Sequence, residues 1–223
     1  MHRQLISILV AAALFVVWAP AANGDMTVFE FDYEFSGSGY QPQGDPPWLT
    51  AVFDDGGSPG SVTLTLTSNL VDDEFIGGQA SNGKGLFFNF SDGLGLAAGD
   101  IAQTEGPSAG WQVDQDGLKA DGDGYYDFRF YWSSSADRFE GGDVATFAIT
   151  HAGITAGDFD ELSLPGGGNG VYPAAAHIQG IEGGGSGWIA PTGTPIPPVP
   201  APGAAILGAI GLLSTGAIRR RFS

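Results

Sequence analysis

The stretch TVFEFDYEF, Thr27 to Phe35, decides the fold class. Phe29, Phe31, Tyr33 and Phe35 alternate with Glu30, Asp32 and Glu34. In an extended strand a period of two sends the rings to one face and the carboxylates to the other. A slip of one residue would bury the acids instead, so the cost of desolvating charge sets the register. Phe29, Phe31 and Tyr33 are therefore expected in a core.

The same pattern recurs along the chain. SVTLTLTS (61–68) sends Val62, Leu64 and Leu66 one way and its threonines the other. Further strand candidates are 48–54, 85–91, 109–114, 125–132, 143–150, 174–181 and 187–190, with Phe88, Phe128 and Phe130 expected inside. In YYDFRFYW, Tyr126, Phe128, Phe130 and Trp132 share the face expected in the core. Tyr125, Asp127, Arg129 and Tyr131 share the other, read as surface or a shallow binding face. Clusters such as SGSGYQPQGDPP, DDGGSPG and PGGGNG punctuate the runs with turn chemistry. Many short strands between such turns predict an all-β body over 25–191, a β-sandwich or jelly-roll-like fold. One short helical turn is expected at TAGDFDELS, where Thr155 and Asp158 have capping-box spacing.

Composition narrows the partners. The 223 residues include 37 glycines, no cysteine, and 25 acidic against 8 basic residues. Arg3 and Arg219 to Arg221 lie near the termini, so 25–198 holds four cations against all 25 acids, a net −21. A field of that sign repels phosphate backbones and argues against nucleic acid as a partner. Without cysteine, no disulfide supports the core.

Both ends read as addresses. Residues 1–24 have the layout of a signal peptide: Arg3, an apolar run from Leu5 to Trp18, then small residues at Ala19 to Ala21 or Ala22 to Gly24 for cleavage. Residues 192–199 form a proline-rich, extended spacer. In 200–223, Gly203 to Ile218 runs without charge, and the helical rise gives it about 24 Å. Val199 to Pro202 brings it near the roughly 30 Å of a bilayer core. Arg219, Arg220 and Arg221 then stay on the cytoplasmic side, as positive-inside orientation requires.

Spacer, Pro200-Ala201-Pro202, thin apolar helix and Arg219 to Arg221 together resemble the PEP-CTERM sorting signal of exported bacterial proteins. The resemblance implies recognition at Pro200, Ala201 and Pro202 by exosortase, a membrane peptidase, and a stay in the inner membrane before release. Ala201 departs from the glutamate usual there. PPWLTAVFDD, KADGDGYYDFRF, AAHIQGI and GSGWIA also resemble stretches of uncharacterised PEP-CTERM proteins, and no activity comes with that likeness.

Chemistry is sparse. His151 and His177 have no histidine or cysteine at zinc-ligand spacing. GGSPG matches a nucleophile elbow around Ser58, but Pro59 and a following Thr-rich strand make it a loop. The densest acidic group is Asp114, Asp116, Asp121, Asp123 and Asp127. Carboxylates and turn carbonyls suit calcium, while Asp-Gly equally marks a plain hairpin tip. Aromatic residues such as Tyr40, Trp48, Trp111, Tyr125, Tyr131, Tyr172 and Trp188 offer either core or a sugar-stacking platform.

Three functional readings follow. The first is a non-catalytic, structural or adhesive protein of the cell surface or extracellular matrix, with exosortase, the inner membrane and exopolysaccharide as partners. The second is a calcium-assisted carbohydrate-binding module. The third is a secreted glycan hydrolase working through a carboxylate pair.

Overall fold

The computed structural model describes residues 24–35, 40–71, 73–120, 124–166 and 170–192. The expected signal peptide (its last residue aside), the proline-rich spacer beyond Thr192, the Pro200-Ala201-Pro202 motif, the apolar run and Arg219 to Arg221 lie outside them, as do Asp121 and Asp123. No helix among the described residues is long and apolar enough to cross a membrane.

The chain is all-β. Its strands are β1 (Met26–Glu34), β2 (Leu49–Asp54), β3 (Ser61–Ser68), β4 (Phe75–Ile76), β5 (Leu86–Phe88), β6 (Ile101–Glu105) and β7 (Ala109–Ala120). They continue as β8 (Gly124–Trp132), β9 (Phe139–Glu140), β10 (Val144–Thr150), β11 (Leu164–Pro165), β12 (Ala174–Ile181) and β13 (Gly185–Pro191). One antiparallel path runs β11-β8-β5-β12-β13-β1-β2-β3-β10-β6, with β7 added on β8, β4 on β12 and β9 on β4. The sheet curls until its two ends face each other. Phe130 of β8 and Phe147 of β10 have ring centroids 4.2 Å apart, and Trp111 of β7 also meets Phe147.

The concave side holds the main core. Phe29, Phe31, Phe53, Leu64, Leu66, Phe88, Phe128 and Phe130 are buried there. Phe53 stacks on Phe159, from the expected helical turn, a 3-10 turn over Ala156–Phe159. The Asp158 carboxylate accepts the Thr155 N–H and hydroxyl, the local bonds that the Thr155–Asp158 spacing predicts.

A second, smaller cluster lies on the outer side: Phe35, Phe87, Tyr126, Ala175, Trp188 and Ala190. It corrects two expectations. Tyr33 is 44% exposed, not buried. Between Phe31 and Tyr33 the β1–β13 register slips, with Phe31 opposite Pro191 and Tyr33 opposite Ala190. This irregularity turns the aromatic stripe outward, so Tyr33 leans on Tyr172 and Phe35 stacks on the same ring. Tyr126 is fully buried, as expected, but in the outer cluster, while Phe128, two residues on, belongs to the inner one. Alternation therefore breaks in β8 at Asp127.

Candidate functional site

The β7–β8 hairpin explains that break. Val113 faces Phe128 and Leu118 faces Tyr126, so five steps on β7 match two on β8. The excess forms a bulge over Asp114 to Gly117, with Asp116 at φ 54°, the left-handed region that short polar side chains tolerate. Asp127 holds it. One carboxylate oxygen accepts the Asp116 N–H at 2.8 Å, and the other accepts the Phe90 N–H at 2.8 Å. Burial pushes the Asp127 carboxyl above its usual range. The two backbone N–H bonds act the other way, and nearby Asp116 and Asp92 add to the rise.

The hairpin thus draws three acids together, and Asp92 is one that its place in the sequence did not reveal. Its carboxylate accepts the Gln115 side-chain amide at 2.8 Å. Asp114 packs its carboxylate against Gly117. Among the described residues no group of three or more His, Cys, Asp or Glu side chains is placed to hold a metal ion.

Arg129 corrects the surface reading of its strand face, as Asp127 does. It is 3% exposed and Asp127 4%, while Tyr125 and Tyr131 remain partly exposed. Among the described residues no carboxylate lies within ion-pair reach of Arg129. Its guanidinium instead donates to the carbonyls of Lys84, Gln79 and Ala80 and to the Gln112 side chain. The rings of Phe87 and Tyr131 lie 5.7 and 5.4 Å from it. Burial lowers its pKa. The result is a clamp that ties the Gln79 to Lys84 loop down onto β8.

Beside this clamp runs an open groove of about 580 Å³, lined by Gln79, Ser108, Gly110, Tyr131, Ser133 and Ser135 among others. Gly110 faces Tyr131 across β7 and β8. A side chain at 110 would strike the Tyr131 ring at 2.4 Å, so the ring takes the space that glycine leaves.

The remaining candidates are separate from the groove. Trp48 and Trp188 are buried, and Tyr125 sits under Lys119 at 5.4 Å. Ser58 lies in the β2–β3 turn, its N–H on the Asp55 carbonyl. His151 bonds Asp100 at 3.2 Å. The Ala97 N–H chiefly lowers the Asp100 pKa, burial opposes this, and His151 lowers it further. His177 is 4% exposed against Trp188, and its Nδ1 is buried without a hydrogen-bond partner among the described residues. Burial, with Lys84 nearby, lowers its pKa to about 4.

Comparison of the chain with protein-family models, with curated proteins and with solved structures finds no match.

Proposed function

We propose that this is an exported, non-catalytic protein of the bacterial cell surface or extracellular matrix, sorted through a PEP-CTERM-like tail. The observation that carries the reading is the order of parts in the tail: spacer, Pro200-Ala201-Pro202, uncharged run, then Arg219, Arg220 and Arg221. The arginines stop translocation, because each costs roughly 2.5–3.5 kcal/mol at the bilayer centre on insertion scales. An exosortase-like membrane peptidase acts at the motif, and the inner membrane is the anchor before release. The curled sheet is read as the jelly-roll-like form of a β-sandwich. Its work is structural or adhesive, in contact with exopolysaccharide. The mature C-terminal residue, found by mass spectrometry on each cell fraction, tests this. Protein that ends before Gly203 and leaves the membrane fraction supports it. Intact, freely soluble protein still carrying Ser223 removes it.

A second reading, a calcium-assisted carbohydrate-binding module, draws on the crowding of Asp92 and Asp116 against Asp127. A cation there would relieve the mutual repulsion of these carboxylates.

A further inference from the structure

We infer that the groove over Tyr131 binds a neutral glycan chain; the inference rests on the exopolysaccharide contact in the surface-protein reading and gives it a location. The groove's about 580 Å³ lies within the roughly 300–1,000 Å³ of small-ligand sites. None of the residues lining it is charged, although 25–198 carries a net −21. A cation or a phosphate would find no counter-charge there. What the walls offer is the Ser108 hydroxyl, the Gln79 amide and the Ser133–Ser135 hydroxyl pair, whose oxygens lie 3.2 Å apart in a mutual hydrogen bond; groups of these types both donate and accept. Those are the partners a ring of sugar hydroxyls needs. Tyr131 adds a half-buried aromatic surface for the apolar side of a sugar.

The walls are also held in place before any ligand arrives. On one side Arg129 fixes the carbonyls of Gln79, Ala80 and Lys84. On the other, Trp132 Nε1 and the Gln103 amide both donate to the Pro107 carbonyl, and Gln103 Oε1 accepts the Ala109 N–H. Ser108 is thereby bracketed. A site whose backbone is already ordered spends less binding free energy on ordering itself. Gly110 completes it by letting the Tyr131 ring lie across β7.

The test is native affinity electrophoresis of the full-length protein in detergent, through gels containing dextran, mixed-linkage β-glucan, galactomannan or polygalacturonate. At least one of the three neutral polymers should retard the protein. Tyr131→Ala should weaken that retardation about tenfold, the upper range for loss of an aromatic contact. Because the ring also covers Gly110, a second variant is needed that leaves the strand pair intact. Gln79→Ala combined with Ser135→Ala changes only exposed side chains, and should weaken retardation with the melting temperature unchanged. The inference is overturned if no neutral polymer retards the protein, if polygalacturonate alone does, or if retardation is equal in wild type and both variants. These outcomes leave the sorting reading untouched, since the mature C-terminus decides that separately.

Discussion

Asp127 and Arg129 stand two residues apart on β8, both buried, and neither pairs with the other: main-chain N–H groups satisfy Asp127, and three carbonyls with the Gln112 side chain satisfy Arg129. The carboxylate gathers N–H groups from the bulge and from the chain leaving β5, and the guanidinium gathers carbonyls from the 79–84 loop. Two buried charges of opposite sign thus organise two loops. Buried charge is tolerated where hydrogen bonds replace its hydration.

Arg129→Lys keeps the charge and loses the fork. An ammonium cannot reach the Gln112 side chain and three carbonyls together. The expected cost is about 2–4 kcal/mol, from lost charge-assisted bonds and carbonyls left unpaired. Thermal unfolding measures it, and hydrogen exchange should quicken first in Gln79 to Lys84. Unchanged exchange there would mean that the loop does not depend on the clamp.

Asp127→Asn retains one acceptor oxygen and turns an amide towards an N–H that needs an acceptor. A loss of about 1–3 kcal/mol is expected near neutral pH. The pH trend has a definite sign. A raised carboxyl pKa means that the folded state holds the proton more tightly, so this group's contribution is full below the unfolded value of 3.8. It fades as pH rises through the folded value. The gap between wild type and Asn should therefore narrow with rising pH across that window, and a widening gap would contradict it.

His177 titrates in the opposite sense. Its pKa falls from 6.5 to about 4 on folding, so the unfolded chain binds the proton more readily. Stability contributed by the neutral ring is complete above 6.5 and is lost as pH falls towards about 4. The contribution amounts to about 3 kcal/mol at most. His177→Phe should flatten the melting temperature over that interval, and an unaltered slope would remove His177 as the cause.

Gly85→Ala should be among the costliest single-methyl additions. Gly85 has φ +138°, and a Cβ there would fall 2.1 Å from the Phe130 carbonyl oxygen. The backbone cannot yield without parting β5 from β8. About 2–4 kcal/mol is expected from strain and displacement, read as a fall in denaturation midpoint.

On the calcium reading, millimolar calcium should raise the melting temperature of the full-length protein relative to chelator by mass action on the native state. Asp116→Asn should reduce that rise. Equal melting temperatures in calcium and chelator would leave the hairpin as a turn.

For the tail, Ala201 is the informative position. If alanine impairs recognition, Ala201→Glu should increase release of the processed body in a host carrying exosortase. Equal release by both proteins would show that the middle residue is not read.

Alternation alone was enough to place Phe29, Phe31, Leu64, Leu66, Phe88, Phe128 and Phe130 in a core, because burying their polar neighbours would cost far more than any local preference returns. The Thr155–Asp158 turn was equally legible, since its bonds span three residues. The exposure of Tyr33 and the face that Tyr126 takes were not. Each residue lies where a strand pair slips register, and a slip belongs to two strands together, so neither strand's own pattern announces it. The groove was hidden for the same reason. Its walls come from Gln79, Ser108 and Ser133 to Ser135, brought beside Tyr131 by pairing across the curled sheet.

Arg129 draws the division most sharply. Composition and pattern determined an all-β, acidic, cysteine-free body, because period, charge and turn residues are properties of short stretches. Whether Arg129 met solvent, an acid or three carbonyls was decided only by tertiary structure. Those carbonyls lie 45 to 50 residues upstream, and a backbone oxygen carries no residue-specific mark in a sequence.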